Sequence, residues 1–429
     1  MPKIYEIRDP VHGFIELNEW ERDIVNHSAF QRLRHIRQLG LTDMVYPGAM
    51  HTRFEHSLGV MHVATRMFDE ITKRRSDFLK SELHFTNAGL ERDRILVRLA
   101  ALLHDVGHAP FSHAAEDLMP NNEHDKYKHE NYSAAIVRYF LKEVIDDHPI
   151  NQNYHIRASD VADFLEGKAT VGRSLLWRSL VSGQLDADRA DYLLRDSHHI
   201  GVAYGKYDLS RLLVTMTVAL DETDSPTLAV EEGGIHAAEG LIIARYMMFT
   251  QVYFQHTRRA YDFHLKETMK SLLKEECGKE AFPPPATKES TKRYLEWDDR
   301  RVLGLIHEGK GGIHGEIIRK RGHYRKVYQT PESPSESDLE SFECLSSKLG
   351  DFNVFVDVAS SSWYKFDTAE IPILLRVTVS NEELTVLSLL SSIVRGLKTV
   401  SQRRIYAPYK RRDEVGEYIR KLRSGECRV

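Results

Sequence analysis

Cysteine is scarce in this sequence: Cys277, Cys344 and Cys427 are odd in number and widely spaced among 429 residues. That pattern excludes a disulfide-stapled scaffold and a thiolate zinc site, and it predicts reduced thiols and a cytoplasmic location. Long apolar runs are missing too. No stretch reaches the roughly 18 apolar residues that a bilayer span needs, and the opening MPKIYEIRDP lacks the apolar core of a secretory leader. Nor does one sign of charge dominate, because 59 basic residues against 63 acidic ones leave a net charge of −4. Without a global basic field, neither nucleic acid nor an anionic membrane is an expected partner.

Amphipathic patterns fill most of the chain. KIYEIRDPVHGFIEL alternates enough for a short hairpin, with Asp9-Pro10 and His12-Gly13 as turn signals. SAFQRLRHIRQLG places Phe30, Leu33, Ile36 and Leu39 on one helical face, with Ser28 as the cap and Gly40 as the stop. Helical periodicity continues through 53–71, 92–109, 129–145, 159–166, 173–196 and 236–276. Residues 211–231 read as an inserted β-hairpin, and 282–291 and 330–341 as exposed, Pro-containing connections. Strand patterns at 352–359 and 373–380 precede a last helix near 381–396. The expected fold is mostly α: a helical bundle with small β-hairpin insertions over 1–275, then a smaller C-terminal α+β portion over 276–429. Arg258, Arg259 and the basic segment 402–412 read as solvated surface.

Histidine carries the chemical signal. Sixteen of the 22 histidines precede residue 200, many of them beside carboxylates. In LLHDVGHAPFSH an apolar helix runs into His104 and Asp105, then His108 and His113. Uncompensated ionisable groups in such surroundings are costly, so partners or a metal are expected. RFEH supplies His56, KHEN supplies His129 and Glu130, and DADRADYLLRD supplies Asp188, Asp191 and Asp196. Imidazoles and carboxylates together suit a divalent ion with positions left open for water and phosphate oxygens. A helical offset of about 100° lets the adjacent His104 and Asp105 reach one ion.

Taken in order, DPVHGFIEL, FQRLRHIRQLG, RFEHSLGV, HDVGHAPFSH and DADRADYLLRD resemble the HD-domain metal-dependent phosphohydrolases, and within them the deoxynucleoside triphosphate (dNTP) triphosphohydrolases. The resemblance covers residues 4–265, with a fainter echo at 319–330 and no segment like a sterile-alpha-motif domain. It implies an HD-domain bundle with metal ligands His56, His104, Asp105 and Asp188. Proton transfer and orientation at the phosphates would fall to His108, His113, His129 and Glu130. Gln38, Leu39, Arg53, Arg189, Tyr192, Asp196 and Tyr261 would bind the substrate, with the Tyr261 ring against the deoxyribose. A regulatory nucleotide site would involve Asn26, Gln31 and Arg34. The implied cofactor is a divalent ion (magnesium, manganese, iron, zinc or nickel). The implied partners are a dNTP, a regulatory nucleotide and further copies of the chain as a dimer or tetramer.

By the same resemblance the reaction is hydrolysis of a dNTP to deoxynucleoside and tripolyphosphate, suited to nucleotide-pool control or to phage defence. Tyr253 stands where the animal pattern has an arginine on the triphosphate, and Asn26 where it has an aspartate. Two other readings use the same residues: a nucleotidase, phosphodiesterase or nuclease acting on another phosphate ester, and a non-catalytic nucleotide sensor. The second has no need of a complete ligand set.

Overall fold

The expected N-terminal hairpin forms. β1 (Tyr5–Asp9) and β2 (Gly13–Leu17) pair antiparallel and close at Asp9↔Gly13, where Gly13 takes the φ of +81° that the turn requires. The Asp9 carboxylate accepts from the amides of Val11 and His12, each at 2.9 Å, so the turn holds His12 in a fixed place. The chain is described here from a computed structural model over residues 3–122, 125–361, 370–378 and 381–425.

The bundle is built on two long helices, Arg53–Arg74 and Asn87–Leu103. On these helices Val60, Met61, Val63, Leu99 and Ala100 are fully buried in one core cluster, and each larger aliphatic side chain stabilises the fold by about 1.5–3 kcal/mol. The Glu55 carboxylate accepts from the Thr52 amide at 2.8 Å, closing the first turn that carries Arg53 and His56. Helices His129–Tyr139, Ala158–Glu166 and Ala187–Ile200 complete this part of the body. Asp186 caps the last of them by accepting from the Arg189 amide at 2.8 Å, which places Asp188 in its first turn.

Several local expectations are corrected. The pattern at 28–40 yields only a short helix, Ser28–Gln31, and a 3-10 turn, Arg32–His35. His27, not Ser28, caps it through Nδ1, and the chain then turns so that Arg37 bridges to Thr52. His104 and Asp105 lie in a turn just past the Asn87–Leu103 helix rather than within it. There Ser133 Oγ donates to the His104 carbonyl (2.6 Å) and accepts from the Gly107 amide (2.9 Å), replacing the helical ladder. Residues 209–215 are helical, so the next hairpin is β3 (Met216–Leu220) with β4 (Pro226–Glu231).

Among the described residues five later strands follow: β5 (Arg325–Gln329), β6 (Phe355–Ser361), β7 (Pro372–Thr378), β8 (Asn381–Val386) and β9 (Val400–Ala407). They form two sheets, in the orders β3-β4-β7-β8 and β5-β9-β6. The helix expected near 381–396 is thus a strand followed by two short helical turns. Segment 402–412 is not solvated surface throughout, because β9 is the middle strand and Ile405, Tyr406 and Ala407 are fully buried. Arg259 chelates Asp357 and Arg258 Nη1 donates to the Tyr253 carbonyl at 2.6 Å, so neither forms a free solvated face.

The boundary drawn at 275 falls inside the helix His256–Cys277. The connection at 282–291 is anchored rather than loose: Phe282 is buried, and Tyr132 donates its hydroxyl to the Pro283 carbonyl at 2.9 Å. Phe282, Tyr294 and Trp297 share one apolar cluster with Phe111 and Tyr132. Cys344 is disulfide-bonded, against the expectation of reduced thiols, while Cys277 is free; spacing along the chain did not show which segments meet. Among the described residues no helix is long and apolar enough to cross a membrane.

Candidate metal centre and active site

Three separate elements bring the four predicted ligands together. His56 Nε2 lies 3.0 Å from Asp188 Oδ1 and 3.5 Å from Asp105 Oδ2. His104 Nε2 lies 3.2 Å from Asp105 Oδ1 and 3.8 Å from Asp188 Oδ1. The other ring nitrogens are committed, His104 Nδ1 to the Ala101 carbonyl (2.8 Å) and His56 Nδ1 to Asp191 Oδ2 (2.7 Å). Both Nε2 atoms therefore face carboxylates as lone pairs, and that of His104 is buried without a hydrogen-bond partner. Such a donor set fits a divalent cation, with the Nδ1 partners fixing the tautomers. Without one, an extra proton must do the work: burial lowers the His56 pKa, but Asp188, Asp191 and Asp105 push it up to about 10.

Asp191 is the support behind His56. It is fully buried, receives Arg195 Nε and Nη2 at 2.8 Å each, and lies 2.6 Å from His12 Nε2. Arg195 Nη1 also reaches Asp9 at 2.7 Å, so the N-terminal hairpin is tied into the metal centre. Gly59, one turn after His56, makes room: a Cβ there would lie 1.9 Å from Asp191 Oδ1.

A second group adjoins the first. His108 Nε2 lies 3.2 Å from Asp105 Oδ1, and its ring stacks on His129 at 4.1 Å. Glu116 takes the Nδ1 of His113 (2.9 Å) on one oxygen and that of His129 (2.7 Å) on the other. Burial raises and the two imidazoles lower the Glu116 pKa, and the lowering wins. Burial likewise pushes His129 down while Glu116 pushes it up to about 9, so His129 is protonated at neutral pH. His108, lowered by burial and by Arg53 and His129, is neutral. Gly107 permits this stacking, since a Cβ there would meet Ser133 N at 2.2 Å and His129 O at 2.5 Å.

A cavity of about 200 Å³ opens onto His104, His129, Glu130, Asp188 and Arg189. Arg189 Nη1 donates to Asp186 at its wall (2.9 Å). Arg53 is buried, donating to Asp105 (2.6 Å) and Ser112 Oγ (2.9 Å).

Gln38, Leu39, Asp196 and Tyr261 do not line that cavity. Asp196 accepts from Tyr253 Oη at 2.6 Å and lies 2.7 Å from His51 Nε2, and the His51 carbonyl accepts the Gln38 amide at 3.0 Å. Tyr192 stands edge-on to Tyr253 at 6.3 Å. Leu39 packs with Ala49, Leu185 and Leu193. The Tyr261 hydroxyl and the Gln38 side-chain oxygen are buried without hydrogen-bond partners. Asn26 and Arg34 are exposed, with Gln31 bonding both the Val25 carbonyl (2.7 Å) and Arg34 Nε (2.9 Å).

The matched family descriptions follow this geometry. "HD domain" covers residues 53–196, which include every metal-ligand candidate, and "HD associated region" covers 207–422. The chain belongs to the HD-domain family. Among its relatives, an uncharacterized Methanocaldococcus jannaschii protein is 36% identical over 269 residues, 63% of this chain and 50% of that one. A Gallus gallus deoxynucleoside triphosphate triphosphohydrolase, SAMHD1, is 33% identical over 388 residues, 80% of this chain and 59% of that one. A crystal structure of a phosphohydrolase from Bacteroides thetaiotaomicron superimposes with a TM-score of 0.70 at 26% identity, covering 94% of this chain and 100% of that one. The chain spans about half the length of the curated relatives that it matches first. HD domains bind divalent metals, and among the described residues His56, His104 and Asp188 form one of three His/carboxylate groups able to hold one.

Part of this HD-domain site carries no sequence motif of its own. Glu116 stands outside the motifs, although its place three residues after His113 is a usable signal. Asp191 lies within DADRADYLLRD, where nothing along the chain assigns it a role. His12, Arg195 and Asp9 converge on it from segments that no local pattern connects.

Proposed function

We propose that this HD-domain phosphohydrolase is a dNTP triphosphohydrolase that releases a deoxynucleoside and tripolyphosphate. The observation that carries the metal chemistry is the buried, unpartnered His104 Nε2 facing His56, Asp105 and Asp188. The unpartnered Tyr261 hydroxyl and Gln38 oxygen support a polar ligand such as a nucleoside beyond the phosphates.

His56, His104, Asp105 and Asp188 would hold the ion. When bound, it would polarise a phosphate oxygen and supply a water acidic enough to attack phosphorus. Arg189 faces the cavity to offset phosphate charge, and Arg53 fixes Asp105. Glu116 holds the Nδ1 protons of His113 and His129, leaving each Nε2 to exchange a proton with the substrate. Protonated His129 orients a phosphate oxygen, and the exposed His113 delivers a proton to the departing 5′-oxygen. A second nucleotide near Asn26, Gln31 and Arg34, with assembly into dimers or tetramers, would regulate the site.

The test is product analysis with Mg²⁺, Mn²⁺ or Fe²⁺ across all four dNTPs, singly and in mixtures. Tripolyphosphate is expected. Release of only orthophosphate or pyrophosphate, or activity confined to monophosphates, cyclic dinucleotides or single-stranded DNA, would replace this reading with another phosphoesterase.

A further inference from the structure

Residues beyond the matched HD segment reach the His104–His113 loop from the C-terminal side. Arg32 donates Nε and Nη2 to the Trp297 carbonyl (3.0 and 2.6 Å) and Nη1 to the His108 carbonyl (2.9 Å). Two residues on, Asp299 opens the helix Asp299–His307 and is 3% exposed. Its Oδ1 accepts from the Phe111 amide at 2.7 Å and its Oδ2 from the Arg37 amide at 2.9 Å.

Those two amides belong to backbone that needs holding. Phe111 and Ser112 are both left-handed, at φ +57° and +58°, a region costly for residues other than glycine and maintained only where the surroundings impose it. The 3-10 helix Ser112–Leu118 that carries His113 and Glu116 starts from this kink. Ser112 Oγ donates to the Arg37 carbonyl (2.7 Å) and accepts from Arg53 Nε (2.9 Å), and Arg53 Nη1 holds Asp105 (2.6 Å). Asp299 thus closes a circuit through Phe111, Ser112 and Arg37 that ends on a metal-ligand candidate. Burial pushes its carboxyl up to about 7 despite both amides.

We propose that Asp299 is a positioning residue: by clamping the amides of Phe111 and Arg37 it fixes the loop that aims Arg53, His113 and Glu116. Only the kinetic arm of the test rests on the dNTP reading. Asp299→Ala and Asp299→Asn are compared with Asp298→Ala in the 429-residue, Mn²⁺-loaded chain. Asp298 caps the same helix by accepting from the Arg301 amide (2.8 Å) and bonds neither loop amide.

For Asp299→Ala we expect unchanged Mn²⁺ content, faster amide hydrogen exchange confined to 105–118 and to the segment around Arg37, and kcat lowered about 10²-fold, the scale of a misplacement near 1 Å, with little change in KM. Asp299→Asn falls between, because its remaining oxygen still accepts one amide. Asp298→Ala leaves kcat and exchange at 105–118 as in the unaltered chain. Unchanged exchange at 105–118 in Asp299→Ala, or an equal loss of kcat in Asp298→Ala, would overturn the proposal. If the Ala variant does not fold, Asp299→Asn decides by the same criteria. If the unaltered chain hydrolyses no dNTP, the substrate reading fails while the exchange result still decides the clamp.

Discussion

At the scale of single residues, Glu116 decides how the histidines act. Its two oxygens hold His113 and His129, and its charge keeps His129 protonated up to a pKa of about 9, against the lowering effect of burial. Glu116→Gln is expected to retain metal yet slow hydrolysis by about 10²–10⁴-fold, the usual reach of positioned acid/base catalysis. Because the His129 pKa then falls, its acid form is lost at lower pH, so the alkaline limb of kcat/KM should move downward in pH; a steady-state profile checks both effects. Asp105→Ala or Asp188→Ala should instead remove bound metal and turnover together while the helical circular dichroism persists. The ligands were legible because His56, His104, Asp105 and Asp188 stand in compact motifs. Glu116 was not, since one acid among 63 acquires its meaning only when a 3-10 turn brings it between two rings.

At the scale of elements, the hairpin of β1 and β2 acts as a brace for the metal centre. Asp9 bonds Arg195, His12 approaches Asp191, and Asp191 fixes the His56 ring. Arg195→Met should weaken metal affinity by about 10–100-fold, the common effect of losing support behind a ligand, as read by competition with a chelator. Gly59→Ala should destabilise the fold by about 1–3 kcal/mol through overpacking between two helices, because its Cβ would fall on Asp191; denaturant unfolding measures this. The hairpin was readable from alternation and the Arg53–Arg74 helix from its periodicity. The segment 28–40 was misread as one helix because its apolar spacing says nothing of the Arg37–Thr52 bridge that pulls the chain aside. Likewise, β5 and β9 depend on partners distant in sequence, whereas the 381–386 strand pairs with the adjacent β7.

At the scale of the molecule, the bundle and the residues after 275 are one packing problem. Tyr294 donates its hydroxyl to the Gly107 carbonyl at 2.7 Å, and Arg32 spans from Trp297 to His108. A chain ended at 277 should therefore lose cooperative thermal unfolding, which calorimetry would show. Four histidines, His264 buried and the other three half-buried, set the acid limit: desolvation first, then neighbouring cations or imidazoles, lowers His62, His199 and His323 to about 4 and His264 to about 3. Groups with lowered pKa contribute stability that is present above the unfolded value near 6.5 and lost as pH falls toward 3–4. Thermal midpoints should decline over that window, and His264→Gln should flatten the decline.

The most direct measurement of the central claim is anomalous diffraction from crystals of the full chain soaked in Mn²⁺. A single strong peak bonded to His56, His104, Asp105 and Asp188, lost in Asp188→Ala, is the predicted result. Manganese elsewhere, or none bound while His56 and Asp188 keep their direct contact, would contradict it.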